Sequence, residues 1–78
     1  MIDLLFFAQL QEKVGSEKLT IDVNEISIKD IKEQYLAKYN MEDLLHGAMI
    51  AVNEEYSKED TIVKAGDTVA FIPPVSGG

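Results

Sequence analysis

The sequence contains no cysteine and only one histidine, His46, so neither disulfides nor a cluster of His and Cys ligands can stabilise its fold. This constraint is severe for 78 residues, because chains of that size bury only about 60% of their unfolded surface. Hydrophobic residues make up 46% of the sequence, which is enough for a core and argues against disorder. We therefore expect one cooperative unit held by regular packing, without a structural metal.

The charge of the chain restricts its partners. Fourteen acidic residues face seven lysines and no arginine, which gives a formal net charge of −7. Nucleic-acid binding depends on cations that neutralise phosphates, so DNA and RNA are disfavoured. The apolar N-terminus, residues 1–8, lacks the basic segment and cleavage site of a signal peptide, and no apolar run is long enough to span a bilayer. We expect a cytoplasmic protein that binds neither membrane nor nucleic acid.

Apolar runs and alternating patterns predict the strands. In chain order these are residues 2–8, 18–23, 48–52 and 68–72. Residues 53–55 form a predicted turn into Tyr56, where a further short strand is left open. The last strand should stop at Pro73, because proline cannot donate a hydrogen bond to the ladder.

One long helix is predicted between the second and third strands. Ser27 is suited to cap its N-terminus, with Asp30 at the third helical position, and the helix should run to about Tyr39. Its apolar stripe consists of Ile28, Ile31, Tyr35, Leu36 and Tyr39. Shorter helical turns are predicted at residues 9–14, ending at Gly15, and at residues 41–46, ending at Gly47.

The order β-β-α-β-(β)-β predicts an α+β protein with a ubiquitin-like β-grasp fold. This is a mixed sheet of four to five strands with one main helix packed on one face. The most apolar strands, residues 2–8 and 68–72, should lie parallel and adjacent at its centre. We expect residues 1–72 to form a single domain and residues 73–78 to form an extended Gly-Gly tail.

Catalytic side chains are hard to find in this sequence. There is no cysteine nucleophile and no serine with a nearby base, and His46 is interpreted as a surface or half-buried residue near a helix end. The acidic stretch at residues 54–60 falls in a turn region, where its carboxylates should be solvated. The glycine-rich phosphate-binding motifs are absent. The chain is therefore not expected to be an enzyme on its own.

The C-terminal segment is the remaining candidate. Pro73 and Pro74 favour a stiff, extended exit from the last strand, and Gly77 and Gly78 present a carboxylate that a narrow channel could admit. A frayed tail and a tail that inserts into a partner both fit these residues. A carboxylate is a poor electrophile, and conversion to a mixed anhydride with AMP would activate it. Transfer to sulfur would then make a sulfur donor, whereas transfer to a lysine amine would make a modifier.

Four segments resemble the family of molybdopterin synthase small subunits. They are FFAQLQE at residues 6–12, AVN at 51–53, GDTVAF at 66–71 and IPPVSGG at 72–78. The resemblance implies a β-grasp sulfur carrier whose terminal Gly78 is adenylated by an ATP-dependent activating enzyme and then thiocarboxylated. It also implies that a large subunit receives the sulfur and uses it on cyclic pyranopterin monophosphate, in a heterotetramer of two large and two small subunits. No permanently bound cofactor is implied, since ATP is used by the activating partner.

The same resemblance implies docking residues outside the tail. They are Phe7, Tyr56 and Ile72, followed by the tail residues Pro73, Pro74, Val75, Ser76 and Gly77. Strand parity agrees for two of them, because Phe7 and Ile72 alternate with the residues expected to face the helix. The alternative is that both simply cover more of the core. Two positions depart from the family pattern, since Ile72 stands where many members have Phe and Gln11 where many have Arg.

The sequence thus indicates a sulfur-carrier protein, the non-catalytic subunit of a two-subunit sulfurtransferase. Three alternatives remain open at this point. The carrier could serve thiamine synthesis or tRNA thiolation, the chain could be a ubiquitin-like modifier, or it could be a plain β-grasp interaction module with an inert tail.

Overall fold

The computed structural model describes residues 1–74, in which strands and short helices alternate along the chain. In chain order the elements are β1 (Ile2–Phe6), α1 (Ala8–Val14), β2 (Lys18–Ile21), β3 (Glu25–Ser27), α2 (Ile28–Ile31), α3 (Glu42–His46), β4 (Met49–Val52), β5 (Glu55–Ser57), β6 (Ile62–Lys64) and β7 (Thr68–Ile72). Helix α2 continues directly as a π-helical segment, Lys32–Leu36, and then as a 3-10 turn, Ala37–Tyr39.

Five strands form one mixed sheet in the order β2-β1-β7-β4-β5. The first and last strands, β1 and β7, are parallel neighbours at its centre, and every other pairing in this sheet is antiparallel. Phe6 lies opposite Phe71 in the parallel register, and their rings stack with centroids 5.6 Å apart. The predicted α+β, ubiquitin-like arrangement is therefore confirmed.

The core lies between one face of this sheet and the helices. Along β1 the burial alternates, with Ile2, Leu4 and Phe6 inaccessible to solvent, and β7 contributes Val69 and Phe71 in the same way. The helical layer supplies its own buried set, which is Leu10, Ile28, Ile31, Leu36, Met41 and Leu45. The buried side chains of the strands and the apolar faces of the helices thus pack together in one continuous core.

Strand β1 ends at Phe6, two residues earlier than the predicted strand 2–8. The chain leaves the sheet because Leu10 is fully buried, which requires a turn towards the core directly after the strand. Phe7 keeps an extended backbone and caps α1, and its carbonyl accepts a hydrogen bond from the Leu10 N–H at 3.1 Å. Ala8 takes a φ of +50° to make this turn.

A second sheet of two strands, β3 paired with β6, is absent from the sequence prediction. Each strand has only three residues, and Val63 is the one fully buried side chain among them, so no alternation is visible in the sequence. This pairing leads straight into α2. The predicted cap is confirmed there, since the Asp30 N–H donates to Ser27 Oγ at 3.1 Å.

The long predicted helix is helical up to Tyr39 but changes its winding on the way. Ile31 and Leu36 are both fully buried although they are five positions apart. An α-helix with about 3.6 residues per turn would place them on different faces, whereas the wider π-helical turn brings both towards the core. The chain then ends this helical region at Asn40, which is left-handed with a φ of +53°.

A hydrogen-bond network ties the β4–β5 hairpin to the start of β7. Asn53 and Glu54 form the hairpin turn, both with positive φ. The Asn53 side chain accepts a hydrogen bond from the Thr68 N–H at 3.0 Å and donates to Asp67 Oδ1 at 3.0 Å. The second Asp67 oxygen accepts from the Lys64 N–H at 2.8 Å. Asp67 therefore links the turn before β7 to the hairpin that carries Tyr56.

These hydrogen bonds predict a pH-dependent contribution to stability. The backbone N–H of Lys64 and then the side chain of Asn53 lower the pKa of Asp67 below its ordinary value of 3.8. A lowered folded-state pKa means that the stabilisation is complete above the ordinary value and is lost as the pH falls through the folded-state pKa. We expect Asp67→Asn to reduce the free energy of unfolding at neutral pH and to flatten its fall on acidification. Urea denaturation from about pH 6 to about pH 2 measures this.

Asp60→Asn is the matched control, because it removes the same charge from an exposed carboxylate that makes none of these hydrogen bonds. The two variants should differ both in stability at neutral pH and in acid sensitivity. Identical denaturation curves for both would show that the Asp67 network does not stabilise the hairpin.

Candidate functional site

The face of the sheet that points away from the helices carries a continuous apolar surface, here called the outer face. Strand register places its members side by side, with Leu5 opposite Ala70, Ala70 opposite Ala51 and Ala51 opposite Tyr56. At the next outward-facing position of β4 and β7, Met49 lies opposite Ile72. The outer face therefore crosses all of β1, β7, β4 and β5, and its strands are the ones whose other face forms the core.

An open groove of about 650 Å³ runs across this outer face. It is lined by Leu5, Phe7, Ala51, Asn53, Glu54, Tyr56, Thr68, Ala70 and Ile72. Ala51 and Ala70 are opposite each other in register. Their small side chains form the floor of the groove, and larger side chains form its walls. An apolar concavity with aromatic and aliphatic walls is suited to receive side chains of another protein.

The structure brings together the three docking residues expected outside the tail. Phe7, Tyr56 and Ile72 all line the groove, although they come from widely separated parts of the sequence. Tyr56 is 73% exposed and Phe7 is 45% exposed, which is unusual for large apolar residues without a covering partner. The structure thus places Phe7 and Ile72 on the outer face, as strand parity indicates, and their role in docking stays a prediction.

Met49 belongs to the same surface but is missing from the sequence prediction. A short, continuously apolar run such as residues 48–52 is typical of a buried strand, whereas Met49 is 45% exposed beside Ile72. The available signal was parity, because Met49 and Ala51 share a side of β4 opposite the buried Ile50. Leu5 could have been found in the same way, since it alternates with Leu4 and Phe6.

The C-terminal end of β7 lies at the edge of the groove, because its last residue, Ile72, lines it. Ile72 is the last residue of the strand, Pro73 is buried, and Pro74 is exposed. The predicted tail residues Val75, Ser76, Gly77 and Gly78 lie outside the described residues. The described part of the exit therefore consists of one proline fixed within the fold and a second proline at its surface.

The other titratable groups do not assemble a catalytic site within residues 1–74. His46 is exposed at the end of α3, and Glu55 and Asp60 are exposed as well. Glu59 forms a salt bridge of 3.1 Å with Lys32, and this hydrogen bond and charge lower the pKa of Glu59. No group of three or more Asp, Glu or His side chains in this part of the chain is placed to hold a metal ion. Glu54 differs from the others, because it lines the groove.

In the described part of the chain, the helices are too short or too polar to cross a lipid bilayer. The longest continuous helical stretch, residues 28–39, carries lysines and acidic residues along its exposed side. Its apolar side is already used by the core.

Comparison with known proteins places this geometry in a family. The chain matches the ThiS family over residues 4–78. The molybdopterin synthase sulfur carrier subunit of Arabidopsis thaliana is 35% identical over 79 residues, which cover 99% of this chain and 82% of the relative.

Two solved structures share the fold over nearly the whole chain. SAMP1 from Haloferax volcanii has a TM-score of 0.83 and 25% identity, covering 99% of this chain and 98% of the other. In the complex of subunits 1 and 2 of the molybdopterin-converting factor from Helicobacter pylori 26695, the matching chain has a TM-score of 0.69 and 26% identity, covering 99% and 97%. The sequence match and the shared β-grasp architecture agree, and the chain belongs to the ThiS family.

Proposed function

We propose that this chain is the sulfur carrier subunit of molybdopterin synthase. The observation that carries the proposal is the match at 35% identity, over 99% of the chain, to a relative with that name. The apolar groove on the outer face supports the proposal, because a carrier needs a surface on which a partner can dock, and Pro73 and Pro74 follow directly on β7. In this function the carrier supplies the sulfur and a larger subunit supplies the catalytic side chains.

The chemistry of this proposal takes place at the carboxylate of Gly78. A carboxylate oxygen attacks the α-phosphorus of ATP in the activating enzyme, which forms an acyl adenylate and releases pyrophosphate. A sulfur nucleophile at the oxidation level of sulfide then displaces AMP, which leaves a thiocarboxylate on Gly78. In the large subunit that sulfur is transferred to cyclic pyranopterin monophosphate, and water cleaves the acyl–sulfur bond, so the carrier returns as a carboxylate. ATP is bound only by the activating partner, so the carrier retains no cofactor.

The outer face is the proposed docking surface for the large subunit. Its apolar groove would be covered in the complex, and Gly77 with its neighbours in the tail would enter the partner beside it. The matching chain from Helicobacter pylori is a subunit of a two-protein complex, which supports a partner of this kind. A cytoplasmic heterotetramer of two large and two small subunits completes the proposal.

Ile72 provides a direct test of this surface. Ile72 lines the groove, whereas Ile62 is a 52% exposed isoleucine on β6 outside it. We expect Ile72→Ala to weaken binding to the large subunit about tenfold or more, because it removes a large apolar side chain from the proposed interface. Ile62→Ala is the control and should bind like the wild type. Calorimetric titration measures both affinities, and Phe7→Ala should behave like Ile72→Ala.

Thermal unfolding of the same variants separates docking from folding. Ile72 is only partly buried, so its truncation should cost little stability compared with a fully buried residue. A large drop in the thermal midpoint with unchanged affinity would assign Ile72 to the core instead of the interface.

The chemistry itself is tested by intact-protein mass spectrometry. The chain is incubated with ATP, its activating enzyme and a sulfur source, next to a variant that lacks Gly78. We expect a mass increase equal to the replacement of one oxygen by sulfur in the wild type and none in the shortened variant. No change in a wild-type sample, with an enzyme that is active on another carrier, would contradict the proposal.

A second candidate function is that of a ubiquitin-like protein modifier. It is favoured by the TM-score of 0.83 with SAMP1, the small archaeal modifier protein 1, from Haloferax volcanii. Both functions share adenylation at Gly78 and differ in the acceptor, which is a pterin in one case and a lysine amine in the other. Covalent adducts with other proteins in a cell extract would support the modifier.

Two further alternatives are distinguished from the proposed function by the sulfur acceptor and by the requirement for a free C-terminus. A carrier for thiamine synthesis or tRNA thiolation would become thiocarboxylated but would give no pterin product with the large subunit. An interaction module with an inert tail would keep its activity when one residue is added after Gly78, because its terminus has no chemical role.

A further inference from the structure

Gly47 lies between α3 and β4, and its backbone does not explain why it is a glycine. Its φ is −103° and its ψ is 5°, which other residues can adopt. Gly15 and Gly66 are different, because their φ angles of +84° and +97° disfavour a side chain. The reason for glycine at position 47 must therefore be sought in what surrounds it.

The surroundings of Gly47 contain one close neighbour, which is the first exposed residue of the C-terminal exit. A Cβ added to Gly47 would lie 3.4 Å from Cγ and 3.9 Å from Cδ of Pro74. Apart from the two chain neighbours of Gly47, no other residue of the described part of the chain comes within 4 Å of it. The Pro74 ring thus lies on the side of Gly47 where a side chain would be. A Cβ alone would just reach van der Waals contact with the ring, and a γ-carbon directed towards Pro74 would come closer to it.

The segment that carries Gly47 is firmly held. Leu45 is buried in the core, its N–H donates to the Met41 carbonyl at 2.9 Å, and its own carbonyl accepts from the Ala48 N–H at 3.1 Å. On the other side of the contact, Pro73 is buried directly after β7. Leu45 and Pro73 are therefore both held in the core. A larger residue at position 47 would displace the exposed Pro74 ring more readily than either of them.

We propose that Gly47 is a positioning residue that seats the Pro74 ring and so sets the direction in which the chain leaves β7 towards Gly78. Proline has a restricted φ, so a shift of its ring also moves its own backbone. This inference rests on the proposed function, in which the Gly78 carboxylate must reach reactive atoms in a partner. Gly47 itself would not touch the substrate.

Gly47→Val is the first test. Valine places a γ-methyl in two of the three staggered positions on Cβ, so it crowds the Pro74 ring in most rotamers. We expect sulfur transfer from the thiocarboxylated carrier at saturating concentration to be about tenfold slower or more, because small errors in placement are costly for reacting groups. Binding to the large subunit should change much less, since the outer-face groove does not include residue 47. Gly47→Ala should be close to the wild type, because its Cβ would lie at van der Waals distance from the ring.

Gly66→Ala is the control for a structural effect. It introduces a side chain at a positive φ with open space around it, so it should lower the thermal midpoint without slowing transfer by the folded protein. Gly47→Val should give the opposite pattern, with a thermal midpoint near that of the wild type and a low transfer rate. A wild-type transfer rate in Gly47→Val would overturn the proposal.

The contact itself is tested by a double-mutant cycle with Pro74→Ala. Without the proline ring, valine at position 47 has nothing to displace, so Gly47→Val should have little further effect in the Pro74→Ala background. An equally large effect of valine in both backgrounds would show that the loss does not pass through Pro74, and the proposal would be wrong.

A measurement on the isolated chain separates this inference from the proposed function. Nuclear Overhauser effects between the Gly47 Hα and the Pro74 ring protons require no partner and no sulfur chemistry. Their absence in the wild type would overturn the proposed Gly47–Pro74 contact even if the carrier is active. Their presence in a chain that never becomes thiocarboxylated would support the contact and contradict the sulfur-carrier function.

Discussion

The parallel pairing of β1 with β7 is the interaction on which the rest of this structure depends. It joins the first and last strands of the chain, and the stacked rings of Phe6 and Phe71 mark its buried side. Because the two strands are far apart in sequence, this pairing requires the closure of a loop that contains every helix. Once it has formed, β2 and β4 can add to its two sides, and the end of β7 becomes the place where the chain leaves the fold.

The two faces of the central strands have different roles, because successive side chains along each strand point to opposite faces. Buried residues such as Val69 and Phe71 hold the helices, while Ala70 and Ile72 between them face the open groove. A substitution on one face can therefore change docking with little effect on the core, and a shift of one residue in register would exchange the two sets. The Asn53–Asp67 hydrogen bonds oppose such a shift at the end of the sheet where Tyr56 is presented.

The sequence was informative where a single residue ends or starts an element. The bounds of β7 were predicted correctly because Pro73 stops the ladder, and Ser27 caps α2 because its hydroxyl accepts the Asp30 N–H. Elements that depend on tertiary packing were missed, namely the short β3–β6 pair, the π-helical turn and the early end of β1 that burial of Leu10 requires. The candidate site followed the same rule. Parity indicated Phe7 and Ile72, whereas the exposure of Met49 and the contact of Gly47 with Pro74 need the folded chain to be seen.

The central position of β7 also has a mechanical consequence. The tail continues from a strand that is hydrogen-bonded on both sides, to β1 in parallel and to β4 in the antiparallel direction. A pull on the end of β7 along the strand direction acts across its ladder bonds, so it loads many of them together in shear instead of opening them one at a time. A protein that has to place its end in a partner and withdraw it again would gain resistance to such a force from this arrangement. An exit from an edge strand such as β5 would instead let the sheet peel open from its side.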